Sequence, residues 1–425
     1  MILISLDTLR YDHCGFNGYA RDTTPFLDSL AQESLVFDRA YTTMSWTLIA
    51  HMGMLTGLYP FQHGVTESDR ALTPSFPTLA ERLGAAGWTT LGVHYPGWLD
   101  PGFGFGRGFE VYEPASNAQL AGERLQAALQ RRTPARPFFL FLHLFDIHSG
   151  DLSDPAAPLY APPEAYRSLW IPDAARELEG VDAARWWDHP SDPTLEQHDA
   201  IVALYDGGVR YVDDMLRAWF TEWRARGLLD HTLVIITADH GEGLRQREAR
   251  YGGHGDLNEE GLRVPLLVRF PDGRHAGERS GDLVSHVDLV PTVLDATGLA
   301  ADPRLPGRPL GGPGRAPGEW VFAGRTRIAA AISLGQKLIY RAEEPRALYD
   351  LARDPLEHTP LTASNGGARF QAEAWPLFEA LRQTRASLFA PRQDGRGGAL
   401  DDAARARLEA LGYAGELAPE GGSKD

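Results

Sequence analysis

Hydrophobic positions along this chain fall into two rhythms that alternate from one end to the other. Unbroken apolar runs at Ile2–Leu6, Thr89–Val93, Pro137–Leu144, Leu233–Thr237 and Val264–Arg269 have the pattern of strands buried on both faces of a parallel sheet. Between them, apolar residues recur at helical spacing. Phe26–Ala31 follows an Asp22-Thr23-Thr24-Pro25 start, Thr47–Thr56 is closed by Gly57, and Phe76–Leu83 is stopped by Gly87. The stretch 195–226 carries Ala203, Leu204, Val209, Val212, Met215 and Leu216 on one face, and His286–Leu294 reads as a further helix. Pro291 within it is tolerated only in a first turn. Val36-Phe37 and Ala40-Tyr41 read as a short strand. Strands alternating with helices predict an α/β fold with a central, mostly parallel sheet flanked by helices on both faces.

Two breaks in the periodicity divide the chain. Residues 149–193 are rich in Pro, Asp, Trp and Tyr without a period, and read as an insertion over the active face. A Gly/Pro-rich linker at 301–318 separates a catalytic domain, 1–300, from a C-terminal subdomain, 319–425, with short antiparallel strands from Trp320 to Tyr340 and a terminal helix. No solenoid repeat is present.

With 425 residues and 43% hydrophobic content the chain can bury a large core. The net charge of -16 argues against nonspecific binding to nucleic acid or an anionic membrane surface. An acidic protein acting on an anion must concentrate positive charge locally, and a bound metal does so. Cys14, the one cysteine, excludes an internal disulfide and a thiolate zinc cluster and fits a reducing compartment. No apolar run is long enough to span a bilayer, and no signal-like segment precedes the first strand. As written the chain reads as cytoplasmic, although so short a first strand leaves room for an export signal upstream.

Ligands of open α/β sheets bind at the carboxyl ends of the strands. Asp7, Thr47, His94, His148, Asp239 and His254 all fall at predicted strand ends or in the loops after them. Asp7 reads as a helix cap or a metal ligand, and Thr47 as a helix cap or a nucleophile. Asp7, Asp239 and His240 form a nitrogen and oxygen donor set suited to a divalent metal, which would lower the pKa of a coordinated Thr47 hydroxyl. His51 reads as an anion contact or a helix-surface group, and His143 as a core residue supporting the site. Asp146 is a candidate ligand for a second metal. Glu242 and Arg263 read as structural, paired with each other.

Taken in order, Leu6-Asp7-Thr8-Leu9-Arg10, Gly18-Tyr19, Thr24-Pro25, Leu55-Thr56-Gly57, Thr237-Ala238-Asp239-His240-Gly241-Glu242 and Arg263-Val264-Pro265-Leu266 resemble the sulfatase branch of the alkaline phosphatase superfamily. The likeness continues through Ser285-His286-Val287-Asp288, Leu348-Tyr349-Asp350-Leu351 and Leu411-Gly412-Tyr413, so it spans nearly the whole chain. It implies an alkaline-phosphatase-like central sheet between helices and a small α+β C-terminal subdomain. It also implies roles: Asp7, Asp239 and His240 as metal ligands, Thr47 at the nucleophile position, and His148 and His254 around the anionic group or a second metal. His94 matches a further anion-contacting histidine.

The departures from that pattern bear on the chemistry. Sulfatases carry a Cys/Ser-x-Pro-x-Arg motif whose first residue becomes formylglycine, whereas here the five positions read Thr47-Leu48-Ile49-Ala50-His51. No formylglycine is expected. His240 stands where calcium-binding sulfatases have Asn, and imidazole favours zinc or manganese over calcium. Thr8 stands where many sulfatases have another metal-binding Asp. A threonine ester of phosphate can be cleaved by a second attack at phosphorus, but threonine cannot release sulfate by the elimination open to a formylglycine hydrate. The expected activity is therefore metal-dependent hydrolysis of a small phosphate or phosphonate ester through a phosphothreonine. The alternatives are a formylglycine-independent arylsulfatase, a phosphoryl transferase and a noncatalytic anion-binding member.

Overall fold

The computed structural model describes residues 1–133, 135–150, 158–179, 193–245, 255–341, 344–388 and 397–411. In chain order the first strands are β1 (Ile2–Leu6), β2 (Leu35–Tyr41), β3 (Arg70–Ala71), β4 (Thr89–His94) and β5 (Val111–Pro114). They are followed by β6 (Phe138–Leu144), β7 (Val234–Thr237), β8 (Arg263–Val264), β9 (Leu266–Arg269) and β10 (Arg279–Ser285). All but β3 join a nine-stranded sheet in the order β10-β2-β9-β7-β1-β6-β4-β5, with β8 paired to β2. β1 pairs in parallel with β6 and β7, and β6 in parallel with β4, so the expected mostly parallel sheet is present. These four strands are four of the five unbroken apolar runs of the sequence, and every residue in them is buried.

Where the pattern was weaker, the elements differ from expectation. The run 264–269 divides at Pro265 into β8 and β9, because proline has no N–H to give a ladder, and both pieces run antiparallel to β2. Residues 36–41 belong to one seven-residue strand, β2. The edge strands β5 and β10 lack a clear apolar run and were not anticipated, nor was the helix Ala118–Arg131, although its buried Ala118, Ala121, Leu125, Ala128 and Leu129 recur at helical spacing. Pro291 lies in the first turn of the helix Leu289–Ala296, the position that spares the helix. The long helix Leu195–Ala225 matches the stretch read from its spacing. No helix among the described residues is long and apolar enough to cross a membrane.

Near the C-terminus β11 (Val321–Gly324), β12 (Ile328–Ile332), β13 (Gln336–Arg341) and β14 (Glu344–Asp350) form an antiparallel sheet. Its residues alternate between two cores, as the period of a strand requires. Val321, Ala323, Ala330, Ile332 and Ile339 pack on Met44, Ile49, Leu262 and Leu283 of the main body. Phe322, Ala329, Ala331, Leu338 and Tyr340 pack under Phe370, Ala374 and Phe378 of the helix Ala363–Leu388. The chain then returns to the main body: β15 (Gly398–Ala399) pairs with β3, and Arg407 of the helix Asp402–Ala410 grips Asp100 with two hydrogen bonds of 2.8 and 2.7 Å. Of the insertion read over 149–193, residues 151–157 and 180–192 lie outside the described part.

Candidate active site

The central strands β7, β1, β6 and β4 end on one edge of the sheet, and each brings a polar side chain there. Asp7 follows β1, Asp239 follows β7, His143 lies near the end of β6, and His94 closes β4. Thr8 then turns the chain with a left-handed φ of 57°, a conformation costing a β-branched residue about 1–2 kcal/mol. The turn aims the Thr8 N–H at Asp239 Oδ1, 3.3 Å away, while the Tyr205 hydroxyl donates to the Thr8 carbonyl at 2.8 Å.

Thr47 opens the helix Thr47–Thr56, which is buried throughout and ends on Gly57 at a φ of 72°. The residue at the cap position is Trp46, and no side chain caps this helix. The cap reading of Thr47 is therefore corrected. Its Oγ1 faces the site instead, 3.4 Å from Asp7 Oδ2 and 3.3 Å from His240 Nε2. Gly241, next to His240, donates its N–H to the Gly261 carbonyl at 2.9 Å. A Cβ at that position would overlap the Glu260 carbonyl, so only glycine lets the His240 loop lie this close.

The hydrogen bonds fix the imidazoles. His240 Nδ1 lies 2.8 Å from the Gly241 carbonyl, which can only accept, so Nδ1 carries the proton and Nε2 presents a lone pair towards Thr47. His143 Nδ1 accepts the Tyr95 N–H at 3.3 Å, and its Nε2–H donates to Asp7 Oδ2 at 2.9 Å, holding that carboxylate. His51 donates from Nδ1 to the Thr47 carbonyl at 2.8 Å and accepts from the Ser5 hydroxyl on Nε2 at 2.9 Å. Both its nitrogens are engaged beneath the helix, and it is fully buried. His51 therefore braces the turn carrying Thr47, contrary to the expectation of an anion contact or a helix-surface group. Burial lowers the pKa of His51, that of His143 well below its usual value, and that of His240 to about 3. All three rings are neutral at physiological pH.

Asp7 and Asp239 face each other in this dry setting. Burial and then the charge of Asp239 and of Glu242 push the Asp7 carboxyl well up, and burial likewise raises that of Asp239. Asp7 Oδ1 and Asp239 Oδ2 are buried and accept no hydrogen bond among the described residues. Two orphaned carboxylate oxygens beside a neutral imidazole lone pair are what a divalent cation satisfies. Asp7, Asp239 and His240 have donor atoms within 4.8 Å of one another, as do His51, His143 and Asp239. The first set fits better, because the nitrogens of His51 and His143 already have protein partners.

The other predicted residues lie around this core. His148 is half-buried, with Nδ1 donating to the Ser149 carbonyl at 2.6 Å and its ring stacked 4.1 Å from Phe145. His94 donates to the Tyr95 carbonyl at 2.8 Å and stacks on Tyr112, and burial lowers its pKa to about 4. Asp146 accepts the Ala118 N–H at 3.0 Å at the start of the helix Ala118–Arg131 and joins neither donor set. His254 lies outside the described residues.

Glu242 and Arg263 are not partners. Arg263 donates to the Asp38 carbonyl and lies over the Tyr11 ring. The fully buried Glu242 carboxylate accepts the Ser149 hydroxyl at 2.9 Å and the Tyr160 hydroxyl at 2.6 Å, tying the loop after β6 to the loop after β7. Sequence reading missed this clamp. Its one linear signal, an acid two residues past His240, does not disclose partners 82 and 93 positions away.

A donor set that could hold a metal, with a buried hydroxyl aimed into it at the ends of the central strands, is an arrangement suited to ester hydrolysis. The chain belongs to the sulfatase family, whose model matches residues 1–299. It is 28% identical over 469 residues to arylsulfatase A of Homo sapiens, covering 93% of this chain and 90% of that protein. It is 25% identical over 473 residues to the multifunctional alkaline phosphatase superfamily protein PehA of Trinickia caryophylli, covering 84% of this chain and 90% of that protein. The crystal structure of a phosphonate monoester hydrolase of Agrobacterium radiobacter has the same fold, with a TM-score of 0.71 at 23% identity over 91% of this chain and 95% of that one. In class, therefore, the protein is a sulfatase-family hydrolase of sulfate or phosphate esters, and members of this family use a divalent metal.

Proposed function

We propose that this chain hydrolyses phosphate or phosphonate esters with Thr47 as the nucleophile. The observation that carries the reading is the Thr47 hydroxyl, buried and directed at Asp7 and His240 rather than at its own helix. The resemblance to PehA and to the phosphonate monoester hydrolase fold supports the substrate class. Asp7, Asp239 and His240 would hold a divalent ion, zinc or manganese being favoured by the imidazole, and when bound it would supply positive charge to acidify the hydroxyl and neutralise the substrate anion.

Thr47 Oγ1 attacks phosphorus, its proton passing to Asp7 Oδ2, which it faces at 3.4 Å, and the bond from phosphorus to the leaving oxygen breaks. His148, and on sequence grounds His254, protonates that oxygen or stabilises the charge on the transferred group. Water then attacks the phosphothreonine and frees Thr47. His143 holds Asp7, and His51 fixes the first turn of the Thr47 helix, so the hydroxyl needs little rearrangement to react.

The test is a panel of an aryl sulfate, a phosphate monoester, a phosphodiester and a phosphonate ester, run with metal analysis on the native chain and on Thr47→Ala. The phosphorus esters should turn over, and Thr47→Ala should lose activity by about 10³-fold or more while keeping fold and metal. Full activity in Thr47→Ala removes Thr47 from the scheme. Faster turnover of the aryl sulfate moves the protein to the sulfate reading that its likeness to arylsulfatase A favours.

A further inference from the structure

The turn that carries Asp7 is strained and is held from outside. Leu9 closes it with an N–H to the Leu6 carbonyl at 3.3 Å, and its third residue is Thr8, whose φ of 57° suits glycine or asparagine better than a β-branched side chain. Both carboxylates of the donor set depend on Thr8. Asp7 directly precedes it, and the N–H groups of Thr8 and His240 together hold Asp239 Oδ1. That leaves Asp239 Oδ2, which accepts no hydrogen bond among the described residues, to face a cation. The outside restraint is Tyr205 on the helix Leu195–Ala225. Its hydroxyl donates to the Thr8 carbonyl at 2.8 Å and accepts the Arg10 N–H at 2.9 Å, so one oxygen spans the exit of the turn. Burial raises the phenol pKa well above its usual value, which keeps the donated proton in place. The ring is fixed edge-on against His13 at 5.0 Å and Tyr160 at 5.5 Å. Next along the helix, Asp206 accepts from His13, Tyr19 and Arg21, and those contacts grip the loop beyond the turn.

We infer that Tyr205 is a positioning residue for the metal site: its hydroxyl holds the Thr8 turn in the left-handed conformation that presents Asp7 and Asp239 to a divalent ion. The inference rests on the reading of Asp7, Asp239 and His240 as the donor set, and is independent of which ester is cleaved. Phenylalanine at 205 leaves the buried Thr8 carbonyl and Arg10 N–H without this partner, and frees Thr8 to relieve its strain by leaving the left-handed region. That movement withdraws the Thr8 N–H from Asp239 and swings Asp7, so the site loses preorganisation while every ligand is still present.

Metal affinity, read apart from turnover, tests this. Tyr205→Phe is compared with Tyr19→Phe, which takes a hydroxyl from Asp206, 2.7 Å away on the same loop, and so controls for lost stability. The full chain, stripped of metal by chelation, is titrated with Mn²⁺ in a calorimeter, and the denaturation midpoint of each variant is measured alongside. Tyr205→Phe keeps the ring contacts and should fold, while weakening Mn²⁺ binding about tenfold or more. Tyr19→Phe should lower the midpoint and leave the Mn²⁺ Kd at the native value. Equal weakening in the two variants, or a native Kd in Tyr205→Phe, overturns the positioning role. Asp7→Asn separates this from failure of the donor set. Native Mn²⁺ binding in Asp7→Asn overturns the donor set and Tyr205 with it, whereas binding lost in Asp7→Asn but native in Tyr205→Phe overturns Tyr205 alone.

Discussion

Thr47 and the two carboxylates around it set the behaviour of the site at the scale of single residues. Because burial raises the pKa of Asp7 and Asp239 above 3.8, and the charge of Asp239 and Glu242 raises that of Asp7 further, the metal-free folded chain takes up protons more readily than the unfolded one. Its stability therefore falls as pH rises from 3.8 through the raised values, and a cation that binds the ionised carboxylates offsets the loss. Added Mn²⁺ or Zn²⁺ should stabilise the chain by about 2.7 kcal/mol at roughly 100 times Kd. The gain should be larger at pH 8 than at pH 5, as scanning fluorimetry would show. A gain that does not grow with pH would place the ion elsewhere. Asp7→Asn should remove most of it by deleting a charged ligand.

Asp239 and His240 were legible in the chain because they end an unmistakable apolar run. His51 was not. Its partners are a serine 46 positions away and a carbonyl one helical turn back, and spacing alone cannot tell a brace from a substrate contact.

Between elements, the Glu242 clamp decides where His148 stands. Ser149 follows His148 directly, Tyr160 comes eleven positions after Ser149, and both donate to one carboxylate on the loop that also carries Asp239 and His240. Tyr160→Phe removes one donor from a buried acid, at a cost of about 1–3 kcal/mol. It should lower kcat by roughly tenfold through loosened geometry, with a smaller change in KM. Steady-state kinetics on the best ester of the panel tests this. An unchanged kcat would leave the clamp a purely structural tie. The edge strands β5 and β10 escaped sequence reading because each has few buried apolar positions, whereas the helix Ala118–Arg131 does carry Ala118, Ala121, Leu125, Ala128 and Leu129 at helical spacing and was overlooked.

Across the whole molecule, Lys337 ties the antiparallel sheet to the catalytic body. It is fully buried in β13, 2.8 Å from Glu357 and 3.3 Å from Glu259. Burial alone would depress its pKa, but Glu357 and Glu259 outweigh it and raise the value above 10.5. A cation with a raised folded pKa stabilises fully below its unfolded pKa and loses that contribution as pH climbs through the folded one. The contribution of Lys337 to stability should thus hold up to about pH 10.5 and decline beyond it. Lys337→Met leaves two buried acids without their cation and should cost about 3–5 kcal/mol in chemical denaturation. The opposite face of that sheet lies under the helix Ala363–Leu388, and the side carrying Lys337 rests near Met44 and Ile49, so the variant should also slow turnover by disturbing the Thr47 helix.

The sequence by itself determined the α/β class, the central strands, and the residues at their ends that can hold a cation. Burial on both faces forces unbroken apolar runs, and strand ends are where polar side chains become free to act. It also put Thr47 where the family resemblance expects a nucleophile, an expectation that the Thr47→Ala variant tests. Only the tertiary structure decided that Thr47 faces Asp7 and His240 instead of capping its helix, and that His51 lies below the site rather than in it. It alone joined Glu242 to Ser149 and Tyr160. Those outcomes depend on contacts between strands and loops distant in the chain, where direction and distance, rather than residue type or spacing, set the chemistry.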